Sequence, residues 1–425
     1  MKTTETTPKQ TVMEKLMKPL PELTAQSTYT RKCSSLSDEE WLRIGILRSL
    51  SAVPSGRAFL QELTDHEEYS LKRSHYFETL KSERRLKFCH EIDELLFDQL
   101  KSDFNRMDPF KNFSCLDNFD IYAGDGHYHA SATHDPRKEG KQYAVQHFYS
   151  LNLRNHALKH LVGADVSGTR KKEHDMRALK SLNTSELRQN APKGRQVIYT
   201  WDKAGIDFRQ WYNWKHSGGI YFISREKENM KLDTLGVLDF DRTDDLNTGV
   251  LSYELCGTSC GVSVHRVKYK DPVTKTIYSF ITSLSQLPPG LIAYIYKLRW
   301  DIEKVFDQVK NKMEEKKAWA TSVTAKTMQA VFICLAHNLM LIMEDELENE
   351  QGIVNEIESR RKKKRLDKEI VLAKQNGVEL PKHLRFIKRF TQRSVKFVRW
   401  LRNNIFRRTS WQDALGSLRL SYADF

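Results

Sequence analysis

The spacing of hydrophobic residues divides the chain into a helical beginning, a mixed middle and a helical end. Behind Ser37-x-x-Glu40, a pattern typical of helix N-termini, apolar residues recur at helical spacing, and they do so again over 83–101. From Asn118 to Ile223, short apolar runs that predict strands alternate with helical stretches. This order predicts an α/β domain with a mixed sheet, flanked by helical regions.

The middle region is expected to contain five short strands and two helices. The helices are predicted at His174–Leu182 and Phe208–His216. The strands are predicted at Phe119–Tyr122, Val145–Asn152, Ala157–Val162, Gln196–Thr200 and Ile220–Ile223. Residues 226–287 alternate in polarity without a long helix, which predicts a β-rich insertion. Its strands are expected at Val237–Phe240, Leu251–Leu255, Val262–Tyr269 and Thr276–Thr282.

A single helix, Leu291–Met313, is predicted after the Pro-Pro-Gly boundary at 288–290. Its apolar residues share one side, and at about 100° per residue four polar residues fall within an arc of roughly 60° beside it. These are Tyr296, Arg299, Glu303 and Lys310. The stripe fits either a surface Arg–Glu pair or a functional site bordering the core, and only partners from elsewhere in the chain distinguish them.

The net charge of the chain indicates the class of partner that it binds. The 425 residues carry a net charge of +14, from 69 Lys and Arg against 55 Asp and Glu. This balance favours a polyanionic partner, nucleic acid first and an acidic membrane surface second. Residues 1–20 contain no apolar run, and the longest apolar stretch, Val331–Met343, is too short to span a bilayer. A cytosolic protein with no membrane partner is therefore expected.

Four regions follow from these patterns. They are a polar N-terminal arm at 1–35, a helical DNA-binding domain at 36–115, an α/β domain at 116–316 with its insertion at about 226–287, and a basic helical region at 317–425. The second region has a cluster of basic residues, although an accessory domain with a solvated edge is the alternative. The cluster comprises Lys72, Arg73, Lys81, Arg84, Arg85 and Lys87. In the last region, the basic run 360–365 is typical of solvated surface or disorder.

Three carboxylates lie where predicted elements can bring them together. Asp125 and Asp202 each end a predicted strand, and Glu303 lies on the striped helix. Like charges this close repel one another unless cations neutralise them, and an all-oxygen donor set favours Mg²⁺ or Mn²⁺. Two such ions can support an in-line phosphoryl transfer.

Two other metal sites match parts of the sequence. Asp125, His127 and His129 occupy alternate positions of a strand and so share a face, which would suit zinc or iron. The pair Cys256-x3-Cys260 has a histidine nearby, but no second pair at zinc-finger spacing accompanies it. Both remain alternatives to the site of three carboxylates.

The spacing Tyr-x2-Arg-x3-Glu-x6-Lys, from Tyr296 to Lys310, resembles the YREK signature of DDE transposases from bacterial insertion sequences. The flanking residues 280–284 and 298–306 are also similar to that family. The resemblance covers residues 118–345 well and the N-terminal helices loosely. It implies an α/β fold with an RNase H-like catalytic core interrupted by a β-rich insertion.

The resemblance also implies roles for individual residues. The DDE metal ligands would be Asp125, Asp202 and Glu303, holding two Mg²⁺ ions, with Mn²⁺ as a substitute. Tyr296, Arg299 and Lys310 would hold DNA phosphates near the transposon end. Trp300 is a further candidate for DNA contact, because hairpin-forming relatives use an aromatic side chain to hold a flipped base.

The implied function is metal-dependent cleavage at the ends of an insertion sequence, followed by strand transfer into target DNA in cut-and-paste transposition. The partners would be double-stranded DNA, at the terminal inverted repeats and the target, and a second copy of the chain in a homodimeric end complex. The expected location is the bacterial cytoplasm, at the nucleoid. Two alternatives remain, an RNase H-like nuclease or resolvase that cuts without joining, and a non-catalytic DNA-binding protein derived from a transposase.

Overall fold

One mixed sheet of nine strands is formed by the residues that the computed structural model describes, which are 10–32, 36–53, 55–65, 72–103, 108–137, 140–142, 144–163, 175–313, 317–385 and 394–423. The strands are β1 (Phe119–His129), β2 (Val145–Asn152), β3 (Leu158–Gly163), β4 (Gln196–Thr200), β5 (Ile220–Arg225), β6 (Leu232–Val237), β7 (Val250–Thr258), β8 (Ser263–Lys270) and β9 (Ile277–Thr282). Their order in the sheet is β3-β2-β1-β4-β5-β9-β8-β7-β6. The β1–β4 and β4–β5 pairs are parallel and the other pairs antiparallel.

Helices precede, interrupt and follow this sheet. They are α1 (Val12–Leu16), α2 (Leu20–Gln26), α3 (Asp38–Leu50), α4 (Gly56–Asp65), α5 (Arg73–Thr79), α6 (Glu83–Asp103), α7 (Asp175–Leu179), α8 (Thr184–Arg188), α9 (Phe208–Gly218), α10 (Pro289–Leu298), α11 (Trp300–Lys312), α12 (Val323–Asn349), α13 (Glu356–Gln375), α14 (Val395–Phe406) and α15 (Trp411–Tyr422). The predicted fold class, a mixed α/β sheet flanked by helical regions, is therefore confirmed. The predicted helix at 174–182 is only partly formed, as α7, and His174 lies outside the described residues.

The strands of the insertion extend the central sheet. β9 pairs with β5 through Ile223 opposite Thr282, and β8, β7 and β6 follow in turn. The strand predicted at Val237–Phe240 is misplaced, because the structure has β6 at Leu232–Val237 instead. The residues after Val237 leave the ladder, apart from one hydrogen bond from the Leu238 amide to the Tyr253 carbonyl.

β1 is longer than predicted, and Asp125 lies inside it. Its parallel pairing with β4 ends at Ala123 opposite Thr200, but its antiparallel pairing with β2 continues to His129. The prediction that Asp125 ends a strand is therefore wrong. Hydrogen bonds to β2 keep the backbone extended after β4 has ended, and Asp125 faces Tyr149 in that register.

The predicted helix Leu291–Met313 is two helices, α10 and α11, that meet at Arg299. At this junction the Arg299 amide donates to the Tyr296 carbonyl at 3.1 Å, and the Ile302 amide donates to the Arg299 carbonyl at 3.2 Å. These are three-residue spacings, tighter than the four-residue spacing of an α-helix. The tighter turn therefore separates α10 from α11 at Arg299.

α12 is the buried helix that joins the sheet to the helical regions. It packs against α3, α6 and β3. It is long and apolar enough to cross a membrane by composition alone, but 83% of its most apolar window is buried inside the protein, as in the core helix of a soluble protein. Its buried Asn338 side chain accepts from the Leu158 amide and donates to the Leu158 carbonyl, both at 2.9 Å. These bonds satisfy backbone groups of β3 in the core.

The N-terminal residues are docked in the structure where a polar arm was expected. Residues 10–32 contain α1 and α2, whose Val12, Leu16, Leu20 and Leu23 are buried in the common core. The α1 cap residue Thr11 pairs with Ser410 near the other end of the chain. Within each helix the two apolar positions lie four or three residues apart, so they share a face of that helix, and burial of these faces outweighs the polar composition of the segment. Residues 1–9 lie outside the described part of the chain.

Candidate active site

Two of the predicted site carboxylates lie side by side because of the parallel register of β1 and β4. Asp125 and Asp202 each come two residues after the last pair, Ala123 and Thr200. Between Ala123 and Asp125, a Cβ on Gly124 would clash with the ring of Trp201. The glycine therefore lets the buried indole of Trp201 pack over β1 directly before Asp202.

Hydrogen bonds from the backbone hold both aspartates. Asp125 Oδ1 accepts from the Gly126 amide at 2.8 Å, and Asp202 Oδ1 accepts from the Ala204 amide at 2.8 Å. The Asp202 carbonyl also accepts from Ser224 Oγ, on β5, at 2.9 Å. These backbone hydrogen bonds hold the Asp125 carboxylate within β1 and the Asp202 carboxylate just after β4.

α11 packs on β1 and β2 and brings Glu303 to the same place. The Arg299 guanidinium lies between the acids, with Nη2 2.6 Å from Glu303 Oε1 and Nη1 3.4 Å from Asp125 Oδ2. Its side chain is only 6% exposed, whereas that of Glu303 is 34% exposed. One buried cation thus connects two of the three carboxylates, and the cluster opens to solvent on the Glu303 side.

The electrostatics of Asp125 show that the acids act on one another. Burial raises the pKa of Asp125 to about 7; Arg299 and the Gly126 amide oppose the shift, and the charges of Asp202 and Glu303 add to it. Burial works to lower the pKa of Arg299, but Tyr296, Asp125 and Glu303 outweigh it, so that pKa is raised. Burial and like charges therefore disfavour a fully ionised cluster, and a nearby cation favours it.

The residues predicted to hold DNA divide into buried and exposed. Tyr296 and Arg299 are 6% and 5% exposed, and the Tyr296 ring lies 5.0 Å from that of Phe280. Lys310 is exposed, and Trp300 is 55% exposed. In the structure Arg299 faces carboxylates, not the surface. The DNA-binding roles of these four residues stay predictions.

Arg225 is a residue of this site that the sequence did not reveal. It ends β5, the strand next to β4, and its guanidinium lies 5.0 Å from the ring centre of Tyr278. Burial raises the pKa of Tyr296, against the effect of Arg299 and of Arg225, and Asp202 raises it further. Arg225 therefore adds positive charge near the carboxylates. In the sequence, the feature that could have identified Arg225 is its position at the carboxyl end of a strand that pairs in parallel with β4.

The donor chemistry of the three carboxylates suits Mg²⁺ or Mn²⁺, because all the ligand atoms are oxygens. In the described part of the chain, however, no group of three or more His, Cys, Asp and Glu side chains is close enough to hold a metal ion. Arg299 accounts for this spacing, since its guanidinium lies between Asp125 and Glu303. A divalent cation at these acids would therefore have to compete with Arg299 for Asp125 and Glu303.

The two alternative metal sites are not assembled among the described residues. The His127 ring stacks on Phe306 at 4.9 Å, and His129 Nε2 lies 2.7 Å from the Tyr149 hydroxyl. These histidines therefore contribute to packing and hydrogen bonding beside α11. Cys256 is buried, and Cys260 Sγ lies 3.2 Å from Thr258 Oγ1.

The predicted basic cluster of the N-terminal region is partly internal. Arg84 Nη2 lies 2.7 Å from Asp38 Oδ1, and Arg85 is buried with its guanidinium 4.9 Å from the Trp41 ring. Asp38 is 1% exposed, so these two arginines neutralise a buried carboxylate. They are not available to a partner in this structure.

Comparison with known proteins extends these observations. Residues 108–339, more than half of the chain, match the family model of the transposase DDE domain. No curated protein matches the chain. The matched segment includes all three carboxylates and the core strands, and the mixed sheet with its helices agrees with an RNase H-like DDE core. Members of this family are DNA-binding polynucleotidyl transferases or endonucleases and generally use divalent metal ions. The chain therefore belongs to the family of DDE transposases of insertion sequences.

Proposed function

We propose that the protein is a YREK-type DDE transposase that cleaves DNA at the ends of a bacterial insertion sequence and transfers the freed strands into target DNA. The observation that carries this proposal is the carboxylate cluster, in which Asp125 and Glu303 share Arg299 and Asp125 is also coupled to Asp202. Three converging acids in a chain of net charge +14 suit a metal-dependent site on a polyanion.

In this proposal Asp125, Asp202 and Glu303 hold divalent cations, with two Mg²⁺ ions or their Mn²⁺ substitutes at the site. Bound cations would supply activation of the attacking oxygen and stabilisation of the leaving one. The protein contributes fixed ligands, because backbone amides position both aspartates. It also contributes a partly closed setting, because α11 packs on β1 and β2 and leaves the Glu303 side chain 34% exposed.

Arg299 acts in this scheme as the cation of the resting site. It neutralises Asp125 and Glu303 until cations and DNA arrive, and then turns to a phosphate of the substrate. Tyr296 holds a DNA phosphate beside Arg299, whose guanidinium carbon lies 5.6 Å from the centre of the Tyr296 ring, and that ring packs against Phe280. Lys310 and Trp300 are already exposed, and they contact a phosphate and a base, respectively.

The helical region at 36–115 is proposed to bind DNA through a cleft that it forms with the core. This cleft, of about 550 Å³, lies between the N-terminal helices and the end of α11. Its basic side chains, in the described part of the chain, are Arg48, Arg57, Arg73 and Lys317, and no Asp or Glu lines it. Trp319 stacks under Arg48, with the guanidinium 4.5 Å from a ring centre. Cations and an aromatic ring together suit a nucleic acid.

The other parts of the proposal concern assembly and location. The catalytic unit is residues 116–316, with the insertion at about 226–287, and the C-terminal region at 317–425 serves DNA contact or dimerisation. The protein acts as a homodimer on two transposon ends, on terminal inverted repeats and on target duplex. It works in the bacterial cytoplasm, at the nucleoid.

The test is metal-dependent cleavage and joining by the purified chain on duplexes that carry the element's own ends. We expect cut and joined products with Mg²⁺, none with a chelator, and none from Glu303→Gln, while end binding by Glu303→Gln persists. The matched control is Asp307→Asn, which makes the same charge change one turn further along α11, where Asp307 bonds to Asn311. This variant should cleave normally.

Each other result has a defined meaning. Cleavage that survives in Glu303→Gln would overturn the assignment of the carboxylates. Cutting without any joined product would identify the nuclease or resolvase alternative instead. Binding without cutting by the wild-type chain would identify a non-catalytic DNA-binding protein.

A further inference from the structure

The basic run at 360–365 is helical and has two different faces. It lies in α13, where Arg361, Lys362 and Arg365 share one side and line a groove, as expected for residues one and four apart. The other three, Arg360, Lys363 and Lys364, fall on the opposite arc of the helix. Three of the six cations of this run therefore line the groove, and the other three lie on the opposite side of α13.

The groove encloses about 720 Å³ between α11, α13 and the start of α14. Lys304 of α11 and Lys396 of α14 add to the three cations of α13. Among the described residues that line it, Glu358 is the only acid, so five positive charges face one negative charge. A concave surface of this charge attracts an anion and excludes other carboxylates.

Neighbouring groups hold several of these cations in place. Lys304 Nζ lies 2.6 Å from Asp301 Oδ1, Lys396 Nζ donates to the Ser421 carbonyl at 2.8 Å, and Arg361 Nη1 lies 3.2 Å from Glu358 Oε1. Burial lowers the pKa of Lys362, Glu358, Glu348 and Glu344 oppose that shift, and Lys304 adds to it. Glu358 in the groove and Glu348 and Glu344 on α12 thus help to keep Lys362 charged.

The groove and the carboxylate cluster share the helix α11. Lys304 directly follows Glu303, and its side chain is 35% exposed. A strand that is bound in the groove therefore passes the helix that presents Glu303. A volume of this size is in the range of single-ligand pockets, so it accommodates a short length of one strand and not a whole duplex.

We propose that this groove binds the phosphate backbone of one strand of duplex DNA beside the cleavage site, independently of base sequence. The inference rests on the proposed function, because it assumes that DNA is the substrate of the adjacent carboxylates. Point charges on Lys and Arg match phosphates and do not read bases. The same cations also match an acidic protein segment, and binding to bare duplexes distinguishes the two.

The test compares two triple variants of α13 that remove equal charge. The groove variant is Arg361→Gln, Lys362→Gln and Arg365→Gln, and the matched control is Arg360→Gln, Lys363→Gln and Lys364→Gln. Binding is measured with chelator present, over a range of salt, on a duplex of arbitrary sequence and on a duplex with the element's ends. Circular dichroism and thermal melting check that both variants fold, and the single variant Lys396→Gln, on α14, repeats the test without altering α13.

We expect the groove variant to bind both duplexes at least about tenfold more weakly than wild type. Its plot of log affinity against log salt should become shallower by about 2–3, or about 0.9 for each phosphate that the variant no longer neutralises. The control should bind less than about threefold more weakly. Equal effects in the two triple variants would overturn the inference, and so would a groove variant that binds like wild type. If either result is found while Glu303→Gln abolishes cleavage, only the proposed role of the groove is wrong. If Glu303→Gln still cleaves, the proposed function is wrong.

Discussion

Two aspartates with a raised pKa, the half-buried Asp125 in the carboxylate cluster and the fully buried Asp93 in α6, differ in what surrounds them. Burial raises the pKa of Asp125 to about 7 and that of Asp93 to about 8. Asp125 has Arg299, two further acids and an opening to solvent. Asp93 is 1% exposed, lies near the thiols of Cys89 and Cys334, and its Oδ1 makes no hydrogen bond within the described structure.

A shifted pKa therefore does not identify a functional site by itself. Both shifts come first from burial, and a titration alone would rank Asp93 above Asp125. The two aspartates differ in their charged neighbours. Asp125 is coupled to two other acids and to Arg299, whose place a metal ion takes in the proposed function. Among the described residues, the charged groups that shift the pKa of Asp93 are Lys159 and Glu94, and they act in opposite directions. The comparison predicts that one aspartate serves chemistry and the other affects stability alone.

The largest expected effect concerns activity. Asp125→Asn should lower the rate of metal-dependent cleavage at least about 10³-fold. The substitution removes one of the proposed carboxylate ligands of the cations that stabilise the charge of the transition state. Asp93→Asn, the same substitution in α6, should cleave like wild type. Rates are measured on the same end duplex at saturating Mg²⁺. A comparable loss in both variants would mean that burial, and not convergence, decides which aspartate matters.

The next effect concerns stability and pH. The pKa of Asp93 is raised in the folded state, from 3.8 to about 8, so its favourable contribution is fully present below pH 3.8 and is lost as the pH rises to about 8. Asp93→Asn cannot ionise. We therefore expect the stability of the variant to gain on that of wild type by about 5 kcal/mol between pH 4 and pH 8, at about 1.4 kcal/mol for each pH unit over which Asp93 is ionised in the unfolded state alone. Melting temperatures of both proteins across this pH range provide the measurement, and a constant difference would show that Asp93 ionises normally.

The sequence predicted those parts of the site that depend on local pattern. The helical stripe located Glu303, and the short apolar strand located Asp202. It misplaced the end of β1, because pairing with β2 prolongs that strand beyond Asp125. The Arg299–Asp125 contact joins residues 174 positions apart, so the spacing within one helix does not reveal it. The spacing gave only the Arg299–Glu303 pair, which is equally typical of an exposed surface.

The smallest expected effect tests whether Arg299 holds the place of a cation. Its guanidinium lies between Asp125 and Glu303, so divalent ions must compete with it. In Arg299→Gln the acids lose this partner, and the variant should melt below wild type without metal because like charges then repel. Adding Mg²⁺ should stabilise the variant more than wild type, by about 1 kcal/mol, because ligand binding to the folded state adds to stability and no competitor remains.

Thermal melts of Arg299→Gln with and without Mg²⁺ decide this point, and the double variant Arg299→Gln, Glu303→Gln is the control. The double variant should lose most of the gain, because one of the carboxylates that would bind the ion is absent. An equal Mg²⁺ response in wild type and Arg299→Gln would mean that the ion and the guanidinium do not share a position. Arg299 would then only neutralise its neighbours, as Lys159 partly does for Asp93. The difference between the two aspartates would in that case depend on Asp202 and Glu303 alone.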